Sequence, residues 1–453
     1  MRLKSPWTPR LSTSDNNISD RLTEALAEDI VSGALQGGDR LPPHRELAWK
    51  LGIGVGTVTK SYATLERQGL ARSIKGRGTF VAALQSQERT AINFAENTLP
   101  VMLSDRLLAR TLSAISRRID ANHVNLRPPP AGHDEHRRLL GRWLEGLDIH
   151  AEPSRIILTG SGQQALWLAF DILCDGNGII ITERLGYSGA IALARYRGHP
   201  LRAVQMDNEG MLPAHLAHVL DQEENSGRKR LVYVTPTLQN PTTLTMSRAR
   251  RDEIIDVCRR RGVPIVEDGV YTLGSNIDNP PLARLDETNV FHVTSLSKTL
   301  SPGLRLGVLV LPAGWEKRAE EALEILPLTA SPVDYAILEE WFSNGVADSM
   351  RDSLRADASR RVKLAHSLLG NRDIISNDAA FHIWLPMLHH EAETFAASAE
   401  MLGVSVTLPN SVRADEQDDM TGIRLCLGGP SMDDLAKGLS LLGQLQTASP
   451  PGR

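Results

Sequence analysis

The first clear pattern along the chain is an interval of four. Leu22, Leu26 and Ile30 recur at the spacing that lines one face of a helix, and Gly33 stands where such a helix would stop. Pro42 and Pro43 can open a second, shorter helix carrying Leu47 and Leu51. The turn Gly52-Ile53-Gly54 leads into a third, with Val58, Tyr62 and Leu65 on its inner face and Gly69 as its stop. Residues 70–74 and 79–81 then alternate like two short strands around Lys75-Gly76-Arg77-Gly78. Three helices followed by a hairpin predict a winged helix-turn-helix over residues 14–83.

Beyond a polar candidate linker at 84–91 the pattern changes. Apolar runs at 155–158, 178–182, 231–235, 264–267 and 290–294 alternate with amphipathic stretches, which predicts an α/β domain with a mostly parallel sheet. Past about Pro327 come a long helical stretch and the segments AAFHIWLPM and GIRLCLG, a smaller α+β lobe. The chain therefore reads as multidomain α/β, with a body over 92–449.

Composition adds three points. The 453 residues exceed one ordinary domain, and 41% hydrophobic with 23% charged residues supply a large core. No apolar run is long enough to span a membrane, and the basic start MRLKSPWTPR leads into no apolar run, so a cytoplasmic protein is expected. Cys174, Cys258 and Cys426 are far apart, without metal-ligand spacing, as expected of reduced core thiols. No metal site is expected. The adjacent residues His389, His390 and Glu391 read as a solvated helix surface. The net charge of −4 hides a balance of +4 over residues 1–82 and −8 over the rest, which suits a polyanion partner at one end.

A helix-turn-helix offers the start of its second helix to the major groove. Gly54 and Gly56 would allow close approach there, and Thr57, Thr59 and Lys60 can meet base edges and phosphates. Arg45 starts the preceding helix, and Lys75 and Arg77 sit on the wing. Residues 18–82 resemble the GntR family head. The likeness runs from Gly38-Asp39-Arg40-Leu41-Pro42 through Arg45-Glu46-Leu47-Ala48, Thr57-Val58, Tyr62 and Leu65-Glu66 to Gly69-Leu70 and Gly76-Arg77-Gly78-Thr79-Phe80-Val81. It implies a double-stranded DNA operator as partner. Pro43-His44, Gly54 and Gly56 depart from the family's usual residues.

In the body, LTGSGQQALWLAF reads as strand, turn and helix, whose first amides at Ser161, Gly162 and Gln163 would face an anion. PIVEDGVYTL sets Asp268 at the end of an apolar strand, where open α/β sheets bind ligands, with Tyr271 three residues on. SLSKTLSPGLRLG holds Lys298 among Ser295, Ser297 and Thr299, with Arg305 after them. With Tyr187 in ERLGYSG, Asn240 in TPTLQNPTT and Arg424 in GIRLCLG, these segments stand in the order of the class I/II aminotransferases of fold type I, which the body resembles from about Ile92 to Leu445. The resemblance implies pyridoxal 5'-phosphate as cofactor. Lys298 would carry its aldehyde, and Asp268 would pair with the pyridine nitrogen. Tyr271 and Asn240 would serve the phenolic oxygen, and Tyr187 would stack on the ring. Ser161, Gly162, Gln163, Ser295, Ser297 and Arg305 would surround the phosphate. Arg424 would grip a carboxylate as a bidentate fork.

Two body positions depart from the pattern. Thr243 stands where glycine is usual, and Arg127 in RPPPAG stands where a tyrosine usually reaches the neighbouring subunit's phosphate. Head and body together resemble the MocR-type branch of the GntR regulators. That implies a homodimeric, pyridoxal-phosphate-dependent transcription regulator responding to an amino compound or to the cofactor. The alternative, an active aminotransferase with an accessory head, would use the same residues.

Overall fold

The structure is a computed structural model that describes residues 5, 7, 11, 17–31, 34–35, 38–67, 70–74, 78–81, 92–272, 274, 276–325 and 330–445. The chain divides into two compact units, Met1–Ala91 and Ile92–Arg453.

The first unit contains the helices Ile18–Val31, His44–Leu51 and Val55–Arg67 and the antiparallel strands Ala71–Ile74 and Gly78–Val81. Leu22, Leu26, Ile30, Leu47, Val58, Tyr62 and Leu65 are all buried in one core with Trp7 and Leu41. Leu51 is only half-buried. Pro43 caps the second helix, and Gly52 ends it at φ +65°, a left-handed conformation open to glycine at little cost. Tyr62 Oη donates to the Pro42 carbonyl at 2.7 Å, which ties the third helix to the proline pair. Gly33, Gly69, the wing residues Lys75, Gly76 and Arg77, and the stretch 82–91 lie outside the described residues.

The second unit is built on a seven-stranded sheet. Its spatial order is Ile156–Thr159, Gly307–Val310, Val290–Ser295, Ile265–Asp268, Lys229–Val234, Gly178–Glu183 and Leu201–Val204. Neighbours run parallel except Gly307–Val310, which is antiparallel to both of its partners. The central strands are buried on both faces, so their apolar runs are continuous rather than alternating. Ile180, Tyr233 and Val266 face the helix Gly162–Cys174, while Ile179, Ile181, Val232, Val234 and Ile265 face the helix Arg248–Arg260. Leu201–Val204 and Gly307–Val310 were not among the expected strands.

The smaller lobe holds the 24-residue helix Val346–Leu369 and the antiparallel pair His382–Leu388 and Met420–Cys426, with Trp384 opposite Arg424. Ile92–Asn93 pairs parallel with Val404–Ser405, so the body's first residues join this lobe. All three cysteines are buried and free. Among the described residues, no helix is long and apolar enough to cross a membrane.

Candidate functional site

The body strands deliver their carboxyl ends to one cavity of about 390 Å³. Asp268 is the last residue of its strand, and the pleat turns it and Glu267 to opposite faces. Glu267 is spent on structure: it accepts from the Leu282 and Ala283 amides at 2.9 and 3.0 Å and meets His292 Nδ1 at 2.8 Å. Asp268 faces the cavity, accepting from Tyr233 Oη at 2.8 Å and the Val270 amide at 3.2 Å. Burial raises its pKa above the ordinary carboxylate value.

Lys298 ends the short 3-10 turn Leu296–Lys298 that follows the strand Val290–Ser295. Its Nζ donates to the Asn97 carbonyl, and burial lowers its pKa. Ser295 is turned inward to hold this turn: its Oγ donates to the Leu306 carbonyl at 2.9 Å and accepts from the Ser297 amide at 3.2 Å.

The helix Gly162–Cys174 points its start at the same cavity, where first-turn amides have no intrahelical acceptor. A Cβ on Gly307 would lie 2.3 Å from the Ser161 carbonyl carbon, and one on Gly162 would lie 3.2 Å from Ser295 Cβ. Glycine at 307 thus lets the strand Gly307–Val310 approach the helix start, and glycine at 162 eases the contact of that start with Ser295. Beside this start, Ser297 Oγ is buried with no hydrogen-bond partner. Arg305, at φ +45°, has no partner among the described residues. Amides, an orphaned hydroxyl and an unpaired guanidinium together fit a phosphate dianion. Across the cavity, the buried Asp268 forms no ion pair among the described residues and fits a protonated ring nitrogen.

A second network lies around Arg424. The buried guanidinium donates to Asn240 Oδ1 at 2.7 Å, Thr407 Oγ1 at 3.2 Å and the Ala95 carbonyl at 3.0 Å. Because arginine can only donate, Asn240 must turn its oxygen to Arg424, which leaves its amide group for Tyr271 Oη at 3.1 Å. Asn97 Nδ2 also donates to Tyr271 Oη, at 2.9 Å. With its oxygen accepting twice, the Tyr271 hydroxyl keeps its own proton to donate. Burial pushes its pKa up, which holds the phenol protonated.

The body residues given a cofactor or carboxylate role from sequence all line this cavity: Ser161, Gly162, Gln163, Tyr187, Asn240, Asp268, Tyr271, Ser295, Ser297, Lys298, Arg305 and Arg424. Arg127 is exposed and does not line it. Asn97, the Ala95 carbonyl, Thr407 and Tyr233 were missed. Tyr233 had a signal, since a tyrosine inside a buried strand needs a hydroxyl partner. Asn97 had none, for it lies 201 residues from Lys298. Thr243 sits at φ +62°, which explains why glycine would be the easier residue there.

In the head, Arg45, Thr59 and Lys60 are exposed and Thr57 half-buried on or beside the third helix. Arg45 and Lys60 side chains have no partner among the described residues. Thr59 Oγ1 is turned back, donating to the Val55 carbonyl at 3.0 Å and lying 3.0 Å from His44 Nδ1. A Cβ on Gly56 would meet nothing within 4 Å, so packing does not demand that glycine.

Residues 89–441 match the model of the family "Aminotransferase class I and II", and residues 18–81 match that of the "Bacterial regulatory proteins, gntR family". The HTH-type transcriptional regulator YdeF of Bacillus subtilis is 25% identical over 450 residues, covering 97% of this chain and 96% of its own length. The vitamin B6 salvage pathway transcriptional repressor PtsJ of Salmonella typhimurium is 26% identical, covering 87% of this chain and 95% of its own. Among solved structures, an archaeal alanine:glyoxylate aminotransferase superposes with a TM-score of 0.71 at 23% identity, over 86% of this chain and 94% of that one. That likeness shows the fold.

Proposed function

The chain belongs to the class I and II aminotransferase family and joins to it a GntR-type DNA-binding head, and from that premise we propose a transcription regulator that binds pyridoxal 5'-phosphate and senses an amino compound through it. The observation that carries the reading is the convergence of Lys298, Asp268, Arg305 and Arg424 on one cavity in a chain that also carries a DNA reader. PtsJ, which this chain matches over 95% of its length, is named for repression of the vitamin B6 salvage pathway, which agrees with a cofactor-linked role.

When bound, the cofactor supplies an aldehyde that condenses with primary amines and a ring that withdraws electrons. Lys298 holds its Nζ beside the Asn97 carbonyl, and burial favours the neutral amine needed for attack on an aldehyde. Asp268 holds a proton on the ring nitrogen. Tyr271 donates to the phenolic oxygen, and Tyr187 offers a flat wall. The helix start at Gly162, Ser297 and Arg305 hold the phosphate. Arg424 would orient an incoming carboxylate with guanidinium N–H groups beyond those it gives to Asn240, Thr407 and Ala95. The same parts would serve transamination; the head is what favours regulation, since it adds nothing to that reaction.

The aminotransferase-like body works as a homodimer in this reading, and the paired heads read two operator half-sites. An effector that fits one arrangement of the body better shifts the population of both heads. The test is the affinity of the full chain for DNA flanking its own gene, measured without cofactor, with it, and with it plus each common L-amino acid. A change of roughly 5- to 150-fold under one condition is expected, together with loss of that response in Lys298→Ala. Equal DNA affinity under every condition would refute the reading.

A further inference from the structure

Away from the cofactor cavity, three side chains from two helices meet without an evident structural purpose. His123 lies on the helix Ala121–Asn125, and Glu135 and His136 lie on the first turn of the helix Asp134–Glu145. Their ligand-type atoms all lie within 4.8 Å of one another. His123 Nε2 is 2.7 Å from Glu135 Oε1, and His136 Nε2 is 4.0 Å from the same oxygen. We propose that His123, Glu135 and His136 form a binding site for a divalent transition-metal ion of the zinc type, which clasps these two helices together.

The donor set is the first argument. Two imidazoles and a carboxylate suit zinc, whereas calcium or magnesium would ask for oxygens alone. Distance is the second. Bonds of about 2.0–2.2 Å in a tetrahedral array keep ligand atoms roughly 3.3–3.5 Å apart. Opening the 2.7 Å contact by about 0.7 Å and closing the 4.0 Å one by about 0.6 Å reaches that value. Glu135 is exposed and His123 half-buried, so both can make the move.

Ring placement is the third argument. The His136 ring is fixed by stacking on Tyr335 at 4.2 Å and an interplanar angle of 12°, which limits how it can turn. The His133 ring lies 4.5 Å from that of His123 and 5.4 Å from that of His136, and so flanks the three ligands. Nearby cations do not compete for Glu135: Arg118 is paired with Glu340 and Arg138 with Asp134. The clasp would close the loop that runs between the helices and carries Arg127.

The test uses the full chain, stripped with a chelator and titrated with Zn²⁺ by calorimetry and with Co²⁺ by visible absorption. One ion per chain is expected, with Co²⁺ bands of a low-coordinate nitrogen and oxygen site. His123→Ala and Glu135→Ala should each weaken binding at least about tenfold. His218→Ala, which alters the separate His215–His218 pair, should leave it unchanged. Cofactor absorbance in each variant checks that the body is folded. Absence of stoichiometric binding, or wild-type affinity in both His123→Ala and Glu135→Ala, would overturn the proposal.

Discussion

Replacing Asp268 by Asn should move two measurable quantities in opposite directions. The carboxylate is 4% exposed, accepts two hydrogen bonds and forms no ion pair among the described residues. Burial therefore raises its pKa in the folded chain. An acid with a raised folded-state pKa contributes stability that is complete below its unfolded pKa and lost as pH rises through the folded value. At neutral pH, without cofactor, Asp268 is thus a liability. Asn keeps the shape: its oxygen can accept from Val270, and Tyr233 Oη can turn to accept from its amide. The cofactor-free variant should unfold at the same or a higher temperature than wild type. Cofactor binding should suffer, because a hydrogen bond to a charged ring nitrogen is replaced by a neutral one. That loss is about 1.5–3 kcal/mol, or roughly 10- to 150-fold in Kd. Titrating pyridoxal phosphate into the stripped protein by absorbance, beside thermal unfolding of the same samples, measures both. Unchanged cofactor affinity would refute the pairing of Asp268 with the ring, and a lowered unfolding temperature would make the residue structural.

Arg424→Lys keeps the charge but not the fork, so amines bearing a carboxylate should bind the cofactor-loaded chain at least about tenfold more weakly, and carboxylate-free amines should not. Equal losses for both classes in spectral titrations would refute that role. Glu183 is buried, and burial pushes its pKa up to about 8. Its contribution to stability is complete below its ordinary value of 4.5 and lost as pH rises towards 8. Wild-type stability in urea should fall over that window by up to about 1.4 kcal/mol per pH unit, and Glu183→Gln should flatten the slope; parallel profiles would count against this. Thr243→Gly relieves a left-handed backbone worth about 1–2 kcal/mol, offset in part by the extra freedom of glycine, so the unfolding temperature should rise by about 1–3 °C. A fall would show that Thr243 earns its place by packing. In the head, Lys60→Ala should flatten the log–log salt dependence of DNA binding by about one unit if the lysine touches only phosphate, and an unchanged slope would remove it from the interface.

Local order along the chain already determined most elements. The four-residue interval of Leu22, Leu26 and Ile30 and the apolar runs ending at Asp268 and Ser295 depend on neighbours in sequence, and the fold keeps them as helix and strands. The ordered motifs around Lys298, Asp268, Asn240 and Arg424 also stood in the sequence, each within a short segment. Their chemistry did not. That Tyr271 accepts from Asn240 and keeps its own proton to donate follows from Arg424 turning Asn240, across 184 residues. The Lys298 amine is held by a carbonyl at Asn97 that no motif marks. His123 has no sequence reason to face His136; two helices bring them together. Hydrophobic periodicity is a one-dimensional record of which face is buried. Hydrogen-bond direction, burial of charge and the meeting of distant side chains arise only once the chain is packed, because they depend on distances between residues that the sequence keeps far apart.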